Sequence, residues 1–421
     1  MSNISELFEF ISASPSPYHA VSTAKEALAA AGYTELCEDA PLTSGKYYTV
    51  RDGSSLIAFN IPASPKGFSI VASHSDSPAL KVKVSGERRG AYTTLDVERY
   101  GGMIYSSWFD RPLSVAGRVV LKSDGGVRIA NVDIARDLAV IPNVAIHFNR
   151  AVNDGYKYNP AVDLLPLMTK GEGKGIVELV ASKLGVEPQD VLSHDLFLYN
   201  RDTGRTFGAE DEYILAPRID DLGCAFASLK AHLSAKDSST IPVLAIFDNE
   251  EVGSETKKGA ASDFLLQTLK KIAGDSYDTM INNSFMISAD NAHAIHPNHP
   301  ELSDSKNAPR LNGGVVVKYN ANQRYTTDAV SDALLRTVAE RAGVTLQSYT
   351  NRADMPGGST LGSISNTKVA VRTVDIGLPQ LAMHSANETA GAQDLDSMIT
   401  FLTEFYSTAF IADGDTIKLV K

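Results

Sequence analysis

The stretch IPVLAIFDNEEVGS, residues 241–254, decides how the rest of the chain is read. From Ile241 to Phe247 it is apolar and partly β-branched, and it turns acidic at once through Asp248, Glu250 and Glu251. A short apolar run of this kind reads as a strand buried on both faces, which requires a sheet covered by helices on each side. Carboxylates placed just past its end fall where open α/β sheets carry their sites, at the C-terminal edge.

The same pattern recurs outward in both directions. GFSIVASHSDSP (67–78) and SFMISAD (284–290) are buried strands that end in polar loops, and GGVVVKYN (313–320), TLQSYTNRA (345–353) and VAVRTVDIGLP (369–379) also read as strands. Between them stand helical patterns at 3–13, 18–32, 219–235, 263–274 and 332–343, and LDSMITFLTEFYSTAF (395–410) reads as the closing helix. YYTVRD and SLIAFNIP, joined through Gly53-Ser54, read as a hairpin. From about residue 80 to 150 the rhythm changes to short alternating strands separated by glycine turns, such as SVAGRVVLKSDGG (114–126). Residues 151–180, with NDGYKYNP and KGEGKG, read as an exposed loop. The expected fold class is α/β, a mixed sheet with helices on both faces, interrupted by a β-rich insertion. The boundaries read as 1–85 and 209–421 for the α/β domain and 86–208 for the insertion.

The bulk properties of the 421 residues exclude several function classes. The content is 43% hydrophobic and 21% charged, a globular profile, and the formal net charge is −11. That balance argues against nucleic acid or an anionic membrane as partner. An acidic substrate would need a local cationic site. Glu6 and Glu9 stand where a secretory signal would be basic and then apolar, and no stretch approaches the ~18–20 apolar residues of a membrane span. Two cysteines, Cys37 and Cys224, lie far apart and outside any paired motif. They read as small buried residues, and a cytoplasmic, reducing location is expected.

Five segments place acids or imidazoles just past strands or at a helix start: ASHSDSP (His74, Asp76), RIDDLG (Asp220, Asp221), FDNEEVGS (Asp248, Glu250, Glu251), SADNAHA (Asp290, His293) and AMHSANE (His384). Ionised carboxylates buried together cost several kcal/mol each without compensation, on the order of the desolvation penalty of a single ion. A divalent cation resolves that cost, and imidazole with carboxylate but no thiolate suits zinc, cobalt or manganese. The number of ligands exceeds one zinc and fits two ions roughly 3.5–4 Å apart, sharing a carboxylate and a hydroxide. Singly, each piece has a plainer reading. His74 alone would be a hydrogen-bonded structural histidine, and Asp220-Asp221 a helix N-cap pair. His296 and His299 in IHPNHP read as loop-packing residues. Alternation puts His74 and Asp76 on one strand face, where the carboxylate can orient the imidazole. Ser359 in GGSTLG lacks the nucleophile-elbow pattern and reads as a turn opening a helix.

ASHSDSP, PRIDDLG, FDNEEVGS, SADNAHAIHPN, KYNANQRY and AMHSANE, in this order and spacing, resemble the aspartyl aminopeptidase family of dinuclear zinc metallopeptidases. The resemblance implies a zinc-peptidase-like catalytic domain that binds two divalent ions, zinc first and cobalt or manganese as alternatives. It implies His74 and Asp290 on one ion, Glu251 and His384 on the other, Asp220 bridging, and Glu250 as general base; Asp76, on the His74 face, reads as the other catalytic residue. It also implies a cis peptide bond between Asp220 and Asp221. Substrate contacts map onto His293, Lys318 and Tyr325, with Lys318 as the cation for an acidic first residue. His147, in IPNVAIHFNR (141–150), would reach a neighbouring subunit's site, although as a bare sequence feature it reads equally as a core histidine. The insertion would then be a dimerisation domain, in a homo-oligomer of dimers assembled into a dodecamer. The implied activity is release of single N-terminal residues from peptides with a free amine, with acidic Asp or Glu preferred. A broad-specificity aminopeptidase or a deacylase of the same fold is the nearest alternative. A non-catalytic assembly protein is a further one, disfavoured because a shell has no need of Glu250.

Overall fold

In the computed structural model, which describes residues 2–36, 42–236 and 238–421, the chain divides into two units. One comprises Met1–Asp76, Gly204–Met383 and Glu388–Lys421; the other comprises Ser77–Thr203 and His384–Asn387. Cys37 lies outside the described residues.

The first unit is built on a nine-stranded sheet. Its order is Thr34–Glu35, Gly45–Arg51, Ser55–Ile61, Thr240–Phe247, Gly67–His74, Phe285–Ala289, Arg372–Gly377, Val315–Tyr319 and Leu346–Thr350. The strand Gly67–His74 runs parallel to both of its neighbours, with His74 paired to Phe247. Antiparallel pairing enters through Ser55–Ile61 on one side and Val315–Tyr319 on the other, so the sheet is mixed. Every residue of Gly67–His74 and Thr240–Phe247 is buried. Successive side chains feed opposite faces, as the pleat demands. Val71, Leu244 and Ile287 pack under helices Asn3–Ala13, Pro17–Ala30, Ile219–Ser234, Ala329–Ala342 and Ala392–Tyr406. Ile70, Val243 and Met286 pack under Phe264–Ala273, Tyr277–Asn282 and Leu361–Asn366. The α/β class and the helices on both faces agree with the sequence reading.

Local signals set the helix ends. Pro17 occupies the first turn of Pro17–Ala30, where its missing N–H costs nothing, and Gly32 follows the last turn at φ 82°. Asp328 caps Ala329–Ala342 by accepting from the Val330 and Ser331 amides at 3.0 and 2.8 Å, and Gly343 closes it at φ 68°. Three features depart from the sequence reading. The closing helix stops at Tyr406, and a hairpin, Ala409–Asp413 with Thr416–Val420, follows it. A five-stranded sheet of Arg205–Phe207, Tyr213–Ala216, Glu388–Gly391, Pro379–Leu381 and Ala292–His293 was not foreseen, because its strands are too short to show a period. Residues 151–180 also carry structure, including the strand Leu167–Lys170 and the start of the helix Ile176–Leu184. Glu178 reaches back to the Gly175 amide at 2.7 Å while Ile176 and Val180 are buried, so a glycine-rich stretch opens a helix instead of a loop.

The second unit is a six-stranded sheet ordered Gly126–Asp133, Leu113–Ser123, Val191–Asn200, Ala79–Arg89, Tyr92–Tyr100 and Leu167–Lys170. All of its pairs are antiparallel. Its core includes Leu80, Val97, Trp108, Leu121, Val180 and Leu198. No helix among the described residues is long and apolar enough to cross a membrane.

Candidate metal centre

Parallel strands deliver their last residues to one edge of the first unit's sheet. Gly67–His74 brings His74, Thr240–Phe247 leads to Glu250 and Glu251, and Phe285–Ala289 leads to Asp290. The helix Ile219–Ser234 opens at the same edge with Asp220 and Asp221, joined by a cis peptide bond.

His74 is 1% exposed. Its Nδ1 lies 3.0 Å from the Asp76 carbonyl oxygen, an acceptor only, so Nδ1 donates there and Nε2 is the nitrogen turned to the carboxylates. Nε2 faces Asp220 Oδ1 at 3.6 Å and Asp290 Oδ1 at 3.9 Å. The His74 amide donates to Asp221 Oδ2 at 3.0 Å, which ties the strand end to the helix start. The Asp76 carboxylate accepts from the Glu250 and Glu251 amides at 3.1 and 3.2 Å and fixes the loop carrying both glutamates. The ring is oriented by the Asp76 main chain at 3.0 Å, with the Asp76 carboxylate slightly farther away, 3.4 Å from Nδ1.

Ligand atoms of His74, Asp220, Asp221 and Asp290 all lie within 4.8 Å of one another, and all four residues are buried. The electrostatics are those of a site made for positive charge. Burial alone would depress His74, yet Asp221, Asp220, Asp290 and Asp76 around it push it well up. Burial, with Asp290 and Asp220 nearby, drives the Asp221 carboxyl well above the carboxylate range despite His74. Glu250 is pushed up to about 8 by burial and by Asp290, Asp76 and Asp220, against the opposing pull of His74. Lys318 is 2% exposed, and its Nζ donates to the Asn291 carbonyl at 2.8 Å while standing 3.6 Å from Asp290 Oδ2. One ammonium held there does not balance three carboxylates. An oxygen-rich set with one imidazole and no thiolate fits a divalent cation of the zinc type.

The remaining predicted residues are placed as follows. Tyr325 is buried with Lys318 over its ring at 5.4 Å, and exposed His293 stands edge-on to Tyr349 at 6.0 Å. His384 belongs to the second unit, where its Nδ1 lies 2.7 Å from the Gly102 carbonyl oxygen; its φ is 67°. His147 also belongs to that unit and is exposed, so its reading as a core histidine is overturned. His296 and His299 are exposed, their rings 5.3 Å apart, with His299 against Glu301. Ser359 is exposed, just ahead of the helix Leu361–Asn366. Asp248 pairs with Lys258 at 2.6 Å. Sequence reasoning missed Glu388, which is 2% exposed and accepts from the Asp220 amide at 2.9 Å. It sits at the end of AMHSANE, read there only for its histidine. Tyr349 was missed as well, for want of any motif around it.

Fold and donor set together define a class: a metal-dependent hydrolase whose site lies at the strand ends of a helix-covered mixed sheet. Residues 10–406 match the family model described as aminopeptidase I zinc metalloprotease (M18). The chain is 43% identical to a probable M18 family aminopeptidase 2 of Clostridium acetobutylicum, over 96% of this chain and 98% of that one. Its structure is similar to that titled the Ape4 and Nbr1 complex, at TM-score 0.93 and 35% identity, covering 96% of this chain and 85% of that one. It is also similar to the S. cerevisiae mApe1 dodecamer, at TM-score 0.84 and 27% identity, covering 96% of both chains. The chain therefore belongs to the M18 family of zinc aminopeptidases, and its activity is that of a metal-dependent aminopeptidase.

Proposed function

We propose that this aminopeptidase works with two divalent ions, zinc before cobalt or manganese, and prefers an acidic first residue. The supporting observation is the buried group His74, Asp220, Asp221 and Asp290, beside a Glu250 pushed up to about 8. His74 and Asp290 would hold one ion and Glu251 and His384 the other, with Asp220 contributing to both. When bound, the ions supply Lewis acidity to the scissile carbonyl and lower the pKa of the attacking water. Glu250 would take the proton of that water and deliver it to the leaving amine. Asp76 holds Glu250 and Glu251 in place through their amides. A metal, or a carboxylate such as Glu250 or Asp290, would receive the free α-amine, which limits cleavage to one residue at a time. Lys318, over the Tyr325 ring, meets an acidic first side chain and supplies the local cation that a net charge of −11 makes necessary, with His293 as a further substrate contact.

The second unit is read as a dimerisation domain from which His147 reaches a neighbouring subunit's site. By likeness to the mApe1 dodecamer, the chain assembles as dimers into a closed dodecamer. Peptides with a free N-terminus are the substrates, and the proposed location is cytoplasmic.

A panel of Asp-, Glu- and Leu-anilides, assayed after chelation and after return of Zn²⁺, Co²⁺ or Mn²⁺ in turn, tests the reading. Metal titration should restore activity at two ions per chain, fastest on the acidic anilides. Full activity at one ion per chain would reject the two-ion centre, and equal rates on Leu-anilide would leave a broad-specificity aminopeptidase. Turnover of N-acylated substrates alone would make it a deacylase.

A further inference from the structure

Asn291 follows Asp290 directly, and every polar group of its side chain is engaged. Its Oδ1 accepts from the Cys224 thiol at 2.9 Å, and its Nδ2 donates to Gln380 Oε1 at 2.6 Å. Its carbonyl oxygen accepts from Lys318 Nζ at 2.8 Å. Cys224, Asn291, Lys318 and Gln380 are each 2% exposed or less. The partners come from separate elements: Cys224 from Ile219–Ser234, Lys318 from Val315–Tyr319 and Gln380 from Pro379–Leu381. The flanking amides are also fixed, Asp290 N–H to the Ile376 carbonyl at 3.0 Å and Ala292 N–H to the Leu378 carbonyl at 2.9 Å.

The helix that carries Cys224 also carries Asp220 and Asp221 at its start. The Asn291 side chain thus ties the element bearing one pair of cluster carboxylates to the loop bearing another. Its carbonyl also gives Lys318 a close acceptor, so the ammonium stays 3.6 Å from Asp290 Oδ2 while Asp290 Oδ1 faces His74. A buried amide whose hydrogen bonds all run to separate elements fixes one geometry, because losing any partner leaves a polar group unsatisfied.

We infer that Asn291 is a positioning residue, a staple between Cys224 and Gln380 that sets the spacing of Asp290 from Asp220 and Asp221 and thereby the affinity for zinc. This rests on the reading of Asp290 as a ligand. It acts through Asp290 and touches neither substrate nor ion.

The test measures Zn²⁺ affinity of purified, metal-free full-length protein by competition with a chromophoric chelator, with the Tm of the same metal-free samples beside it. Asn291→Leu, close in size, should bind zinc about 10- to 100-fold more weakly, the range seen when groups supporting a ligand are removed. Its metal-free Tm should change far less than its affinity. Cys224→Ala should lose part of the same affinity, and Cys224→Ser, which keeps a donor, should stay close to wild type. Asn291→Leu folding normally with wild-type affinity overturns the staple. If that variant does not fold, the two Cys224 variants decide, and equal zinc binding in Cys224→Ala and Cys224→Ser overturns it. Asp290→Ala separates the two claims. Undiminished zinc binding there overturns the ligand reading and the staple together, whereas weakened binding with an unaffected Asn291→Leu overturns the staple alone.

Discussion

At the scale of single residues, the centre separates ligand from lever. Glu250 lies beside the carboxylate group, and its loop is held by Asp76. Glu250→Gln keeps the shape and removes the proposed base, so kcat should fall about 10²- to 10⁴-fold while zinc affinity stays near wild type. Isothermal titration with zinc, run beside Asp-anilide turnover, checks both halves; an equal fall in affinity would make Glu250 a ligand instead. Lys318 is the residue proposed to set specificity. Burial would lower its pKa, but Asp290, Tyr325 and Asp375 hold it well above the ordinary range, so it is charged at every working pH. In Lys318→Ala the ratio of Asp-anilide to Leu-anilide kcat/KM should drop at least tenfold, on the order of one lost charge-assisted contact. An unchanged ratio would remove Lys318 from substrate recognition.

At the scale of elements, stability is set where helices meet strands. The cap on Ala329–Ala342 depends on the two amides that Asp328 accepts. Asp328→Ala should cost about 1 kcal/mol, read as a lower urea midpoint at unchanged m-value. The helix Ile219–Ser234 carries His232 near its other end, packed between Tyr33 and Tyr406 with ring centroids at 5.5 and 5.2 Å. Neither ring nitrogen has a hydrogen-bond partner among the described residues. Burial first, and Lys46 second, lower its pKa to about 3. Below pH 6.5 the unfolded chain protonates this histidine and the folded chain does not, so its contribution to stability is lost as pH falls from 6.5 toward 3. In His232→Phe the fall in stability between pH 6.5 and 4 should shrink, by at most about 3 kcal/mol. Urea midpoints at both pH values compare the two proteins, and parallel losses would exclude His232 as a source of acid sensitivity.

At the scale of the whole molecule, the acids gathered in the first unit predict a stability that depends on metal. A ligand bound only by the folded state adds about 2.7 kcal/mol at a hundredfold excess over its Kd. Calorimetric scans should therefore show Tm falling on chelation and recovering with zinc, and a Tm indifferent to both would contradict a structural contribution from the centre. The proposed sharing of His147 between subunits has its own check. Mixed dimers of His147→Ala and Glu250→Ala chains should regain part of the activity that each parent lacks. Verified mixed dimers without recovery would keep each site within one chain.

By itself, the sequence was enough for the α/β class, for helices on both faces of a mixed sheet, and for the segments carrying acids and imidazoles. Strand periodicity and position after a buried run are local properties, and local properties survive in one dimension. Short strands such as Pro379–Leu381, the terminal hairpin and the helix opened by Gly175 lie below that threshold, because a few residues carry no period. Only the folded chain decided that the Asp76 carboxylate clamps two glutamate amides, that Glu388 holds Asp220, and that Asn291 joins Cys224 to Gln380. Those bonds link residues 67 to 175 positions apart, from Cys224 and Asn291 at the near end to Asp76 and Glu251 at the far end. Their geometry is fixed by packing the whole sheet against its helices, and no local pattern records it.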